Sequence, residues 1–262
     1  MIKYRRNKNK GDVEVSNYYK LTNAQKNIFE VEQSLLTYDN TCNILTVSVK
    51  FSSNLDYDRL ERTLNKLIEL NDSFRIRLTK HDDTIEQYID KYVYKKIELI
   101  NIETKTKLKE FIDIYKKQPM DIFENLFEFK ILKCDGETYV LYKVHHIIND
   151  AWGITQVAEQ IKEIYSIIDS EDIKNVKKME YLNSIQKIDD YRTTARYTSD
   201  CAFWFEYIKK LSAERIFNKD VSDNTANRKI FVISENERRN IKEFCSNNKI
   251  TEYTFFIAIL SI

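Results

Sequence analysis

One segment of the chain changes from a strand pattern to a helix pattern, and two adjacent histidines stand at the change. The stretch Tyr139 to Val144 is apolar enough for a buried strand and runs directly into His145 and His146, two of the three histidines present. From Ile154 onward, apolar residues recur along one face of a long helix. The sequence therefore predicts an imidazole pair at the end of a strand, with Asp150 at the start of the next helix.

Strand and helix patterns alternate before and through this segment. They predict a helix opened by the capping box Thr22 to Gln25, a strand over Leu45 to Phe51 and a helix over Leu60 to Ile68. Two hairpins are predicted next: Phe74 to Leu78 with Ile85 to Ile89 across the turn His81-Asp82-Asp83, and Phe127 to Ile131 with Tyr139 to Tyr142 across Asp135-Gly136. The long helix follows Asp150. This order of elements predicts an α+β or mixed α/β fold.

The last third of the chain reads differently. The polar stretch 170–199 reads as a linker, and after it the patterns predict a helix over Phe203 to Leu211, a strand over Ile230 to Ile233, a capping box at Ser234 to Glu237, and a final helix over Thr251 to Ile262. That final helix is apolar on nearly all sides, so we expect it to be buried. Earlier segments could wrap it, another protomer could cover it, or the chain could be a fragment.

Composition excludes several classes of protein. The 42 Lys plus Arg nearly balance the 41 Asp plus Glu, which gives no reason to expect nucleic acid or an anionic membrane as partner. With three glycines and no Gly-x-Gly-x-x-Gly, a nucleotide-binding fold is not expected. The four cysteines are widely separated, no run approaches roughly 20 apolar residues, and the N-terminus lacks a secretion signal. We therefore expect a cytoplasmic protein.

The two histidines should have different roles. Successive strand residues point to opposite faces, so His145 and His146 cannot both enter one cavity if the strand pairing continues through them. By residue chemistry alone, catalysis competes evenly with a core histidine pair beside a helix-capping Asp150. A zinc site is less favoured because no further ligands cluster nearby, and a serine hydrolase is less favoured because there is no Gly-x-Ser-x-Gly elbow.

The segment His145 to Gly153 resembles the His-His-x-x-x-Asp-Gly motif of the condensation domains of nonribosomal peptide synthetases. Other landmarks of that family occur in the family's order. Before the histidines, Leu21-Thr22-Asn23-Ala24-Gln25 resembles the opening Leu-Thr-x-Ala-Gln motif, Asn71 to Arg75 resembles Arg-His-Glu-x-Leu-Arg-Thr, and Pro119 to Ile122 resembles Pro-Phe-Asp-Leu. After them, Asp190-Tyr191 and Phe203-Trp204 resemble later landmarks. Several motifs in the right order argue against chance similarity, although any one of them would be a weak signal.

The resemblance implies a fold and an organisation. Condensation domains have two chloramphenicol-acetyltransferase-like halves that form a V, with the active site in a tunnel between them. We expect residues 1–180 to be the first half, a mixed α+β sandwich that carries the motif, and residues 181–262 to be the linker and a truncated beginning of the second half. We also expect this chain alone to be inactive, with the missing half or downstream synthetase domains as partners.

The resemblance also implies a reaction. An acceptor amine attacks a donor acyl or aminoacyl thioester, both carried on phosphopantetheine by donor and acceptor carrier proteins, and peptide bonds of secondary metabolites form in this way. The domain itself would bind no cofactor and no metal. His146 is implied as the catalytic residue, while His145, Asp150, Trp152 and Gly153 support the motif.

Two details of the motif differ from the family pattern. Ala151 stands where the family has glycine, and the Asn71 to Arg75 stretch keeps only its second arginine, Arg75, which is a candidate partner for Asp150. A glycine allows backbone angles that are closed to alanine. Two alternatives therefore stay open: a noncatalytic module that only binds carriers, and a self-associating acyltransferase that uses coenzyme A or a carrier.

Overall fold

A four-stranded sheet forms the centre of the fold in this computed structural model, which describes residues 17–35, 41–51, 55–81, 84–211 and 230–261. Its strands are β2 (Ile44–Phe51), β5 (Glu98–Asn101), β6 (Phe127–Cys134) and β7 (Glu137–His145), in the order β2-β7-β6-β5. The pair β5 and β6 is parallel, and the other pairs are antiparallel. The strand β7, which leads to the histidines, therefore lies between two neighbours.

Helices cover both faces of this sheet. On one face α2 (Tyr57–Leu70) and α4 (Ala151–Ile167) pack with the side chains of Phe129, Val140 and Tyr142. On the other face α3 (Lys105–Tyr115) packs with the alternate residues of the same strands, such as Leu132 and Leu141. This alternation is the period of two expected for a strand that is buried on both faces.

A smaller sheet adjoins the first helix. It has the order β1-β4-β3, with β1 (Tyr19–Lys20), β3 (Ile76–His81) and β4 (Thr84–Ile89), all antiparallel. Its apolar cluster includes Ile28 and Phe29 of α1 (Asn23–Leu35), and it also includes Ile147, just after the two histidines. The small sheet and α1 therefore contact the segment that carries the sequence motif.

Local turn and capping signals are confirmed. The Thr22 backbone N–H donates to Gln25 Oε1 at 2.9 Å and the Gln25 N–H donates to Thr22 Oγ1 at 3.3 Å, as in a capping box. Asp135 and Gly136 have φ of 50° and 73°, which fits the tight turn between β6 and β7. The hairpin of β3 and β4 also forms, although Asp82 and Asp83 of its predicted turn lie outside the described residues.

The polar stretch that the sequence suggests as a linker contains helices, and its role as a linker stays a prediction. Residues 170–199 contain a short 3₁₀ helix, Glu171–Asn175, then α5 (Tyr181–Arg192), and the start of α6 (Ala195–Lys209). Polar composition suggested a linker, but α5 buries Ile185 and begins beside Asp72, whose carboxylate accepts the Tyr181 N–H at 2.6 Å. The helix α5 is therefore anchored at Ile185 and at its first turn, although most of its other residues are polar and exposed.

The chain divides into two compact units, Met1–Trp204 and Phe205–Ile262, and the division falls inside α6. The domain boundary expected at residue 180 stays a prediction. In the second unit α7 (Glu235–Asn247) begins with the predicted capping box of Ser234 and Glu237, and it packs with α8 (Glu252–Leu260).

One expectation for the second unit, the strand over residues 230–233, is wrong. Residues 230–233 form no strand within the described ranges, because a strand needs a neighbour to accept and donate its backbone hydrogen bonds, and Val232 is 92% exposed. The apolar helix α8 contains no buried residue, and Leu260 is 83% exposed. The neighbouring helix α7 therefore leaves most of α8 exposed.

The packing predicts a contrast between two helical isoleucines of the first unit. Ile161 in α4 is fully buried, whereas Ile114 in α3 is 65% exposed. We expect Ile161→Ala to lower the free energy of unfolding by about 2–5 kcal/mol and Ile114→Ala to change it by less than about 0.5 kcal/mol. Urea unfolding of both variants measures the difference. Equal losses would contradict this assignment of the core.

Candidate active site

His145 is the last residue of β7, and His146 follows it directly. His145 continues the row of Leu141 and Lys143, whereas His146 lines a cavity together with Phe74 and Val157, which pack in the cluster of Tyr142 and Val144. Pairing continues through this point, because the His145 N–H donates to the Leu126 carbonyl and the His146 N–H donates to the Asn43 carbonyl, at 2.8 and 2.7 Å. The predicted separation of the two imidazoles is present in the structure.

His145 is a buried, fully used side chain. Its Nε2 lies 2.6 Å from Glu32 Oε2, and its Nδ1 accepts the Ile147 backbone N–H at 3.2 Å. Since Nδ1 is an acceptor, the ring proton resides on Nε2 and is donated to Glu32. Burial acts to raise the pKa of Glu32, but the hydrogen bonds from His145 and Asn43 outweigh it and hold the pKa below its usual value.

His146 keeps unused hydrogen-bonding capacity. Its Nδ1 is buried and, among the described residues, has no hydrogen-bond partner. Its side chain lines the cavity described next. An unpaired buried nitrogen costs free energy, and such groups in native structures call for an explanation such as a catalytic role. His146 therefore differs from His145, because it lines the cavity and has a ring nitrogen that no described residue engages.

A cavity of about 680 Å³ lies beside His146, entirely within the first unit. The beginning of α1, the 3₁₀ helix Asp72–Arg75, the first turns of α4 and the beginning of α5 surround it. Its lining includes both apolar and neutral polar side chains, for example Phe74, Val157, Gln156 and Gln160. A cavity of this size is in the range of small-molecule sites.

The loop between His146 and α4 is held by side-chain hydrogen bonds. Asp150 caps α4, since its Oδ1 accepts the Gly153 N–H at 2.8 Å. Asn149 Oδ1 accepts the Asp150 N–H at 2.9 Å, and its Nδ2 donates to the Tyr142 hydroxyl at 2.8 Å. A Cβ at position 153 would lie 2.0 Å from Asn149 Oδ1, so Gly153 leaves the space that Asn149 occupies.

Ala151 causes no backbone strain at its place in the motif. It is the first residue of α4, and it is absent from the described non-glycine residues with positive φ, which are Asp135 and Lys249. The neighbouring Trp152 is 73% exposed and borders the cavity. The helical geometry at residue 151 therefore accepts alanine as readily as glycine.

Arg75 makes no hydrogen bond to Asp150 within the described residues. Its Nη1 donates to the Asp90 carbonyl at 3.2 Å, and its buried Nε has no partner among the described residues. In that same part of the chain no ion pair joins Arg75 to Asp150. Arg75 instead acts on Asp72: burial raises the pKa of Asp72, while the N–H groups of Tyr181 and Leu182 and the charge of Arg75 oppose that rise.

Glu32 was not among the site residues predicted from the sequence, and Gln25 was predicted only as a capping residue. Both are buried, and Gln25 Nε2 donates to the Ile147 carbonyl at 3.3 Å. A usable signal was present, because Gln25, Ile28, Phe29 and Glu32 recur at the spacing of one helix face. A carboxylate on an apolar face indicates a buried partner, although sequence spacing cannot tell which residue that partner is.

Two searches of the described residues concern other kinds of site. No group of three or more His, Cys, Asp or Glu side chains there could hold a metal ion. No helix in the described ranges is long and apolar enough to cross a membrane.

Comparison with known families identifies the family of this chain. The family model for the condensation domain matches residues 15–262. The chain therefore belongs to the condensation domain family, whose members include the condensation domains of nonribosomal peptide synthetases. Acyl transfer that condenses two substrates is the general chemistry of this family.

Curated relatives are much longer than this chain. One plipastatin synthase polypeptide of Bacillus subtilis (strain 168) is 28% identical over 253 residues, which are 92% of this chain and 10% of that protein. Surfactin synthase subunit 1 of the same organism is 24% identical over 257 residues, 93% of this chain and 7% of that protein. The chain thus corresponds to a small part of each relative.

Solved structures support the expected fold. The starter condensation domain of rhizomide synthetase superposes with a TM-score of 0.64 at 19% identity, over 76% of this chain and 49% of that chain. The first condensation domain of the CDA synthetase gives 0.58 at 16% identity, over 75% and 50%. The mixed α/β, chloramphenicol-acetyltransferase-like fold is confirmed, and the chain spans about half the length of these structures.

The contact between Gly153 and Asn149 predicts a coupled pair. Gly153→Ala should force Asn149 to give up its hydrogen bonds to Tyr142 and Asp150, with a loss of about 1–3 kcal/mol of unfolding free energy. In the background of Asn149→Ala the same change should be harmless or stabilising, since alanine favours a helix. A double-mutant cycle by urea unfolding measures the coupling. Additive effects would contradict it.

The capping hydrogen bond predicts the effect of changes at Asp150. Asp150→Ala should lower the free energy of unfolding by about 0.5–2 kcal/mol, because the Gly153 N–H loses its acceptor. Asp150→Asn should restore most of that loss, since asparagine caps helices about as well. Thermal unfolding of the two variants measures this. If asparagine were as harmful as alanine, the carboxylate charge would have a role beyond the cap.

Proposed function

We propose that this chain supplies the histidine-bearing part of a condensation active site, in which a carrier-bound amine acceptor attacks a carrier-bound acyl or aminoacyl thioester to form an amide. His146 is the proposed base and positioning residue. The observation that carries this proposal is the contrast within the motif: His145 has both ring nitrogens engaged, whereas His146 lines a cavity with its Nδ1 unpaired among the described residues.

The chemistry requires one base of moderate strength. The amine nitrogen bonds to the thioester carbonyl carbon, and the tetrahedral adduct carries an ammonium proton. His146 accepts that proton, the C–S bond breaks, and the departing thiolate is protonated to the thiol, so that no other reactant is consumed. A neutral imidazole suits this task because it gains and loses protons near neutral pH.

The expected contribution of His146 is limited by what general-base catalysis supplies. Such catalysis typically contributes about 10²–10⁴-fold in rate. Holding two reacting groups in the correct geometry can contribute roughly 7–11 kcal/mol of barrier reduction. We therefore assign much of the rate enhancement to the surfaces that orient the two tethered substrates beside His146.

The other motif residues support this site in the proposal. His145 holds the end of β7, Asp150 and Gly153 shape the start of α4, and Trp152 borders the cavity. Ala151 does not require a retired site, because its helical backbone is not strained. This favours a working enzyme over a noncatalytic carrier-binding module.

The proposed partners follow from family and length. Donor and acceptor carrier proteins would present their substrates on phosphopantetheine, and the domain would hold no cofactor of its own. The chain spans about half of the solved condensation domains, so we propose that a second chloramphenicol-acetyltransferase-like half completes the site and that residues 1–262 alone are inactive. The exposed apolar surface of α8 is consistent with a further covering element.

Acyl transfer followed by intact-protein mass spectrometry tests this function. The assay uses the complete natural polypeptide that carries residues 1–262, with acyl and aminoacyl thioesters on generic carriers. We expect His146→Ala to lower the transfer rate by at least about 10²-fold without a loss of stability. The exposed His81, changed to alanine, is the matched control.

Three results would overturn parts of the proposal. An unchanged rate in His146→Ala would remove the role of this residue. Carrier binding without transfer over a broad panel of donors would support the noncatalytic module. Transfer by residues 1–262 alone, in a self-associated form, would support the self-associating acyltransferase.

A further inference from the structure

The helix α1 carries two buried polar side chains on one face, and both point to the segment of His146. Gln25 and Glu32 are 3% and 7% exposed, and they are two helical turns apart. Apolar side chains at these positions would suffice for packing alone. Buried polar groups need directed partners, so they fix a geometry that apolar contacts leave free.

Glu32 reaches the segment by two routes. Its Oε2 accepts from His145 Nε2 at 2.6 Å, and it also accepts from Asn43 Nδ2 at 3.3 Å. The Asn43 carbonyl in turn accepts the His146 N–H at 2.7 Å. The Glu32 carboxylate therefore contacts the side chain of His145, which precedes His146, and the side chain of Asn43, whose carbonyl accepts the His146 N–H.

Gln25 reaches the segment from the other side. Its Nε2 donates to the Ile147 carbonyl at 3.3 Å and to Gln87 Oε1 at 2.9 Å. The Ile147 N–H is already held by His145 Nδ1 at 3.2 Å. The Ile147 carbonyl is thus held by Gln25 directly. The Ile147 N–H is held by His145, which is itself hydrogen-bonded to Glu32.

We propose that Gln25 and Glu32 are positioning residues that set the orientation of the His146 imidazole. Within the described residues no hydrogen bond joins either side chain to the His146 imidazole, and they act through His145, Asn43 and Ile147. The value of this orientation for catalysis rests on the proposed function of His146. The geometric claim itself does not depend on any reaction.

Histidine-labelled NMR of the 262-residue chain tests the claim. Three histidines give three sets of ring signals, and His81, on the exposed end of β3, provides the internal reference. Glu32→Gln removes the carboxylate charge that faces His145, and Gln25→Met removes the hydrogen bonds of the Gln25 amide to Ile147, Gln87 and the Thr22 N–H; both variants keep the side-chain size. The matched control is Glu30→Gln, an exposed carboxylate of the same helix whose ion pair is with Lys26 at 3.7 Å.

We expect both variants to shift or broaden the ring ¹⁵N signals of His146, and to leave those of His81 unchanged. Amide exchange of His146 and Ile147 should rise about tenfold, as local opening becomes easier by one hydrogen bond. Glu30→Gln should change neither quantity. In wild type, the ring signals of His145 should report a proton on Nε2.

Each other outcome overturns the proposal. If the variants fold and the His146 signals and exchange rates match those of wild type, the two side chains do not position the imidazole. If both variants fail to fold, their role is general stability; if only one fails, the other variant decides. Because no substrate is used, a failure here is distinct from a failure of the transfer assay.

Discussion

His145 and Glu32 stand 113 positions apart in the chain and share a buried hydrogen bond of 2.6 Å between Nε2 and Oε2. This bond fixes the tautomer of His145, since the other ring nitrogen accepts the Ile147 N–H. It also joins α1 to the end of β7. While His145 is fixed to Glu32 of α1, the next residue, His146, lines the cavity. The difference between the two histidines, one buried and hydrogen-bonded and the other lining the cavity, depends on this contact.

The start of α4 adds a second constraint. Asp150 and Asn149 together use their side chains to hold the first turn of the helix and to join it to Tyr142 on β7. Gly153 makes room for Asn149, so the glycine of this segment serves close packing and not an unusual φ. The family motif has glycine at the position of Ala151, yet the helical backbone there tolerates alanine. The departure at Ala151 is therefore conservative in its geometry.

Local signals predicted local structure well. The capping boxes at Thr22 and Ser234 and the Asp135-Gly136 turn each depend on residues within a few positions of each other, and the structure contains all three. The parallel strand β5 and the helix α3 were not predicted, because β5 gains its hydrogen bonds from β6, a distant segment. The strand expected over residues 230–233 had the right pattern, but among the described residues it has no neighbour with which to pair.

The sequence by itself determined the strands and helices that have strong local patterns, the family motif, and the rule that adjacent strand residues face opposite ways. Those properties follow from short-range periodicity and from turn and cap chemistry. Only the tertiary structure decided which histidine is engaged and which is free, because that choice depends on Glu32, Gln25 and Asn43, residues more than 100 positions away. It also decided that Asp150 caps its own helix and that Arg75 contacts Asp90, since both outcomes depend on distances that spacing in the chain does not encode.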